Sequence, residues 1–123
     1  KNYEKYLEKI CTIQELYWPV EHQQIEIIKG NVKKTLPNLL KKRKDLFFSM
    51  IYFDLDVYQP TYASLMRLKP YLNEGCVLAF DQFNHQDWPG ETLAIKEFFK
   101  KTNKKFKIKY SKFKPQCSYF IYE

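Results

Sequence analysis

An α/β fold with a mainly parallel sheet, closed by an antiparallel pair of strands late in the chain, is predicted by three observations. Short apolar runs alternate with segments of helical period along the whole sequence, the pattern of repeated βα units. Two of those runs, MIYFDLD and GCVLAFDQFN, finish on acids, and in an open parallel sheet the strand C-termini form the rim of the ligand crevice. The length of 123 residues, 45% hydrophobic and 18% aromatic, suits a single domain over residues 1–123 with one core.

Each element has its own signal. Tyr3, Tyr6, Leu7, Ile10, Ile13, Leu16 and Tyr17 recur at three- and four-residue steps, so the chain opens with an amphipathic helix that Pro19 should stop. The β-branched run QIEIIKGNV, residues 24–32, reads as a strand closed at Gly30. Thr35 then offers an N-cap oxygen, Pro37 sits in the first turn, and Leu36, Leu39 and Leu40 face inward on a helix ending in KKRK. Residues 46–54 are almost continuously apolar, which predicts a central strand covered on both faces.

Pro60 belongs in the first turn of the next helix, whose Leu65, Leu68 and Leu72 point to the core and whose end is marked by Asn73, Glu74 and Gly75. Residues 76–81 form a second buried strand. After a polar loop with Trp88, Pro89 and Gly90, a helix starts near Glu91 with Leu93, Ala94, Ile95, Phe98 and Phe99 inside. Residues 106–113 alternate apolar with polar, a strand with one wet face, and residues 117–122 form the last strand. A βαβ crossover brings the tips bearing Asp54 and Asp81 side by side.

Twenty-one Lys and Arg against 14 Asp and Glu give a charge of +7, which favours anionic partners. Many of the lysines sit where helices should end, and there they complement the helix dipole as a solvated surface. Cys11, Cys76 and Cys117 are odd in number with no CxxC pair, so neither a disulfide framework nor a zinc site is indicated and a reducing cytoplasm fits. No apolar run reaches the length of a membrane span, and Lys1 opens no signal peptide.

The blocks IEIIKGNVKKTLPNLL, FSMIYFDLDVYQPTYASL, GCVLAFDQFN and WPGETLAIKEFF, in this order and at these separations, resemble the macrocin-type sugar O-methyltransferases, class I enzymes that use S-adenosylmethionine. The resemblance covers nearly the whole chain. It implies a Rossmann-like class I methyltransferase sheet in which the strands here are the third to the seventh. The first two strands, with the glycine-rich turn and ribose-binding acid of the cofactor site, are then expected ahead of Lys1. Only Gly30, Gly75 and Gly90 occur, and no GxG pair is hidden elsewhere, so the chain reads as the C-terminal portion of a longer enzyme or a truncated relative of one.

The resemblance also assigns roles. Asp54, Asp81 and Gln82 match positions that hold magnesium in related enzymes, where a hard divalent ion orients acceptor oxygens and lowers a hydroxyl pKa; Gln82 departs from the usual acid or Asn by offering only a neutral carbonyl. Asn31 falls where class I methyltransferases use an acid against the adenine amino group, although Asn after Gly is also an ordinary turn residue. Asp54 is also a candidate catalytic and cofactor-binding residue, or else simply closes its strand and caps the next helix. His85, four residues after Asp81, is a candidate base for the acceptor proton. Trp88 is expected to stack on a sugar, Asp56 to meet the acceptor from further out, and Glu91 to bind acceptor hydroxyls or stabilise its own helix start.

The function implied is O-methylation of a sugar or nucleotide-sugar hydroxyl, with magnesium assistance and a homo-oligomer both left open. A second reading is a non-catalytic α/β module that uses its lysines to bind RNA or another anionic partner. The sequence lacks RNP and Gly-X-X-Gly signatures, which ranks that reading behind.

Overall fold

The computed structural model describes residues 3–17 and 25–123, and the chain divides into two compact units, Lys1–Gly30 and Asn31–Glu123. Pro19 and His22 lie outside the described residues, as does Gln24 at the start of the expected first strand.

In the first unit, α1 (Tyr3–Leu16) follows the predicted helical period, and none of its residues is fully buried. Lys29 forms an ion pair with Glu4, and the Ile25 amide donates to the Glu15 carboxylate over 2.8 Å. Residues 25–29, expected as a strand, carry no ladder. A β-branched run supplies the propensity for a strand, but a strand exists only with a hydrogen-bonded neighbour, and none of the described residues pairs here.

In the second unit, the order is α2 (Val32–Lys42), β1 (Met50–Phe53), α3 (Tyr58–Leu68), a 3-10 turn at Lys69–Tyr71, β2 (Val77–Phe80), α4 (Gly90–Thr102), β3 (Lys109–Tyr110) and β4 (Ser118–Ile121). The helix α2 starts three residues before the expected Thr35 cap. Asn31 is its N-cap, in extended conformation with its side chain accepting from the Lys33 amide, and Pro37 lies within the helix.

The sheet order is β1-β2-β4-β3. β1 and β2 are parallel with Phe53 opposite Phe80, β2 and β4 are antiparallel with Phe80 opposite Ser118, and β3 and β4 are antiparallel. The antiparallel closing pair is therefore as expected. β1 was expected to be central and covered on both faces, but among the described residues it is an edge strand, with Met50 and Tyr52 exposed. Its apolar run is continuous because Ile51 and Phe53 face the core while Met50 and Tyr52 fill the alternate positions with large, partly apolar side chains.

The core lies on one face of this sheet. Phe53, Phe80 and Phe120 stack in a row across three strands, with ring centroids 4.8 and 5.8 Å apart. Leu65 and Leu68 of α3 and Ala94, Ile95 and Phe98 of α4 belong to the same cluster. Burying such side chains stabilises the fold by roughly 1.5–3 kcal/mol each. Leu93 was expected inside but is exposed, because residues 94, 95 and 98 already define the inward stripe of α4. Among the described residues, no helix is long and apolar enough to cross a membrane.

Candidate active site

The two acid-bearing tips stand next to each other. The parallel register runs one step past the strands, with the Asp81 amide donating to the Phe53 carbonyl over 3.0 Å, so Asp54 and Asp81 leave adjacent strand ends. Asp54 is exposed and has no hydrogen-bond or ion-pair partner among the described residues. Asp81 is enclosed by donors. Lys114 Nζ lies 2.9 Å from both of its oxygens, the Tyr52 hydroxyl donates to Oδ1, the Cys117 thiol is 3.3 Å from Oδ1, and Gln82 Nε2 is 3.5 Å from Oδ2.

These donors hold the Asp81 carboxyl down to about 2, Lys114 and Tyr52 first, against a smaller opposing effect of burial. The same contact raises the Lys114 ammonium. Burial, then the neighbouring carboxylate, pushes the Cys117 thiol up, so it is a donor rather than a thiolate nucleophile.

Below the tips, Glu91 ties the two strand ends together. It is 0% exposed, and its carboxylate accepts from the Leu55 amide after β1 and the Gln82 amide after β2, each over 3.0 Å. Burial raises its pKa, while the amides of Leu55, Gln82 and Asp56 oppose that rise. Gly90 permits this approach. A methyl group there would lie 2.6 Å from the Tyr58 nitrogen and closer still to the Asp56 carbonyl oxygen, and backbone atoms cannot move aside as a flexible side chain would. Asp56 itself takes a left-handed φ of 59°, which turns the chain from β1 into α3.

The expectation that Glu91 touches an acceptor is therefore corrected: it has no exposed surface and both oxygens are used. Its helix is capped at Pro89 without a side-chain bond. Asn31 caps α2. An amide oxygen has two lone pairs, so the cap leaves one able to accept from another donor.

His85 lines an open cleft of about 510 Å³ with Phe83, Asp87, Tyr110 and Gln116, and its Nδ1 is buried without a hydrogen-bond partner among the described residues. Trp88 is half exposed on the loop before α4. Tyr52, Lys114 and Cys117 were not foreseen. Tyr52 was findable, since alternation puts it on the same side as Asp54; Cys117 and Lys114 reach Asp81 only through the β2–β4 register.

The magnesium donor set does not fit this arrangement. Among the described residues no three His, Cys, Asp or Glu side chains come together as a metal site. Asp81 already holds an ammonium, and Gln82 turns its amino group rather than its carbonyl toward it.

No protein-family model and no curated protein matches this chain. Solved structures do. The chain is similar to the apo structure of CalS11, a TDP-rhamnose 3'-O-methyltransferase of calicheamicin biosynthesis, at 28% identity and a TM-score of 0.86, over 98% of this chain and 53% of that one. A second structure of CalS11, calicheamicin methyltransferase, matches at the same identity and TM-score over 98% of this chain and 47% of that one. The fold is that of a class I methyltransferase. The chain spans about half the length of these methyltransferases.

Proposed function

We propose that this chain is the acceptor-side portion of an S-adenosylmethionine-dependent O-methyltransferase whose substrate is a sugar hydroxyl, carried on a nucleotide. The likeness to CalS11 over 98% of the chain is the observation that carries this reading. The lysine-rich surface suits a diphosphate, and the three free thiols suit a reducing cytoplasm.

When bound, S-adenosylmethionine supplies the electrophilic methyl group. The residues of this chain orient the acceptor and take its proton. Asp54, exposed at the tip of β1, accepts a hydrogen bond from the sugar hydroxyl next to the reacting one and so aims the reacting oxygen for in-line attack. His85 receives the proton at Nε2, the ring nitrogen opposite its buried Nδ1. Trp88 stacks on the sugar face, and Asp56 meets a neighbouring hydroxyl. Asp81 acts indirectly, by fixing Lys114 and Tyr52 beside the site.

Saturation-transfer NMR with TDP-rhamnose tests the acceptor half of this reading without turnover. Contacts to the sugar protons are expected with the wild-type chain, with affinity reduced about tenfold or more in Asp54→Asn, the loss of a hydrogen bond to a charged group. No sugar contact, together with RNA binding that weakens steeply with salt, would replace it with the RNA-binding alternative.

A further inference from the structure

The Asp81 carboxylate is surrounded by donors. An ionised carboxylate offers about four lone-pair sites. Oδ1 receives the Tyr52 hydroxyl, the Lys114 ammonium and the Cys117 thiol, and Oδ2 receives Lys114 again and, at 3.5 Å, the Gln82 amide. All four partners are donors and one is a full cation.

The Gln82 orientation follows from the same electrostatics. Reversing the amide would press its carbonyl oxygen against a carboxylate, so the amino group faces Asp81 and Oε1 points away, buried and without a partner among the described residues. A magnesium ion needs carboxylate oxygens at about 2.0–2.1 Å and neighbouring oxygens at octahedral positions. Any such ion on Asp81 would sit against the Lys114 ammonium, with no Gln82 oxygen turned toward it.

We propose that Lys114 is the resident counter-cation of this site and that it excludes divalent metal from the tips of β1 and β2. The lysine does the charge-neutralising work a metal ion would do, but as a compact ammonium on a flexible stem it orients donors without acting as a Lewis acid. Lys114 is then a positioning residue, and acceptor deprotonation falls to a side-chain base. The inference rests on the geometry around Asp81 and needs no turnover, so it survives or fails separately from the methyl-transfer reading.

Isothermal titration of the 123-residue chain with magnesium chloride, repeated with manganese(II) and water-proton relaxation, tests it. The wild type is expected to show no saturable binding up to millimolar metal. Lys114→Met, which keeps the stem and removes the charge, is expected to bind at least about tenfold more tightly than the wild type. Adding Asp81→Asn to that variant should abolish the gain. Lys114 sits on an exposed loop, and Lys114→Gln provides a second neutral variant should the first perturb packing, with folding checked by circular dichroism. Wild-type binding that disappears in Asp81→Asn would overturn the proposal. So would neutral variants that fold and bind metal no better than the wild type.

Discussion

Two carboxylates serve the same pair of strand tips from opposite environments. Glu91 is sealed in the core and bonded to backbone amides, and burial pushes its pKa up; Asp81 lies near the surface, bonded to side chains, and those donors pull its carboxyl down to about 2. A buried acid bonded to main chain fixes where the backbone runs. A carboxylate near solvent bonded to side chains leaves the backbone alone and sets the local charge. The scaffold and the chemistry of the site are thus held by different acids, and perturbing each in turn separates them.

The largest effect is expected from Glu91→Ala. It strands two partly buried amides and opens a cavity, a loss of about 3–5 kcal/mol to be measured by urea denaturation. Glu91→Gln keeps the volume and one acceptor but turns an amino group toward the second amide, so roughly 1–3 kcal/mol is expected. Equal stability of wild type and both variants would mean that Glu91 does not join the tips.

Gly90→Ala comes next, at about 1–3 kcal/mol by overpacking, because its methyl group meets the backbone of the Asp56–Tyr58 segment rather than a movable side chain. A high-resolution structure of a stable Gly90→Ala protein with the Asp56–Tyr58 segment unmoved would contradict this.

The smallest effect is in pH dependence, and its sign distinguishes the two acids. The folded pKa of Asp81 is depressed, so its contribution is fully present above the unfolded value of about 3.9 and is lost as pH falls toward about 2. The folded pKa of Glu91 is raised, so the fold binds its proton more tightly than the unfolded chain does. Its contribution is greatest below the unfolded value of about 4.3 and declines as pH rises through the folded one. Urea midpoints against pH should flatten on the acid limb in Asp81→Asn and above that limb in Glu91→Gln. Interchanged slopes would reverse the roles given to the two acids.

Much of the fold was legible because periodicity reports burial directly. Leu65, Leu68, Ala94, Ile95 and Phe98 all face the core as their spacing predicts, and the acids at the ends of two apolar runs do close two adjacent parallel strands. Strand lengths and neighbours were less legible. Residues 25–29 and 106–108 have strand propensity without a ladder, since pairing depends on a partner far away in sequence. The helix start at Asn31 was missed because Asn serves turns and caps alike.

At the site, the positions of Asp54 and Asp81 could be read from sequence, but the company they keep could not. Cys117 stands beside Asp81 because Phe80 pairs with Ser118, a register that also stacks Phe80 on Phe120 and that no local motif announces. Glu91 follows Trp-Pro-Gly in what looks like a polar surface loop. The close approach of Gly90 to the Asp56 carbonyl and the complete burial of Glu91 show that this loop is driven into the core.

The position of β4 between β2 and β3 has a consequence for biosynthesis. It follows β2 and β3 in chain order yet lies between them, so β2 has no neighbour on that side, and Phe80 no Phe120 to stack on, until Ile121 has been translated and has left the ribosome. A nascent chain halted after β3 would leave that edge of β2 open, and β3 with no strand to pair with, the kind of exposed edge that another strand can capture.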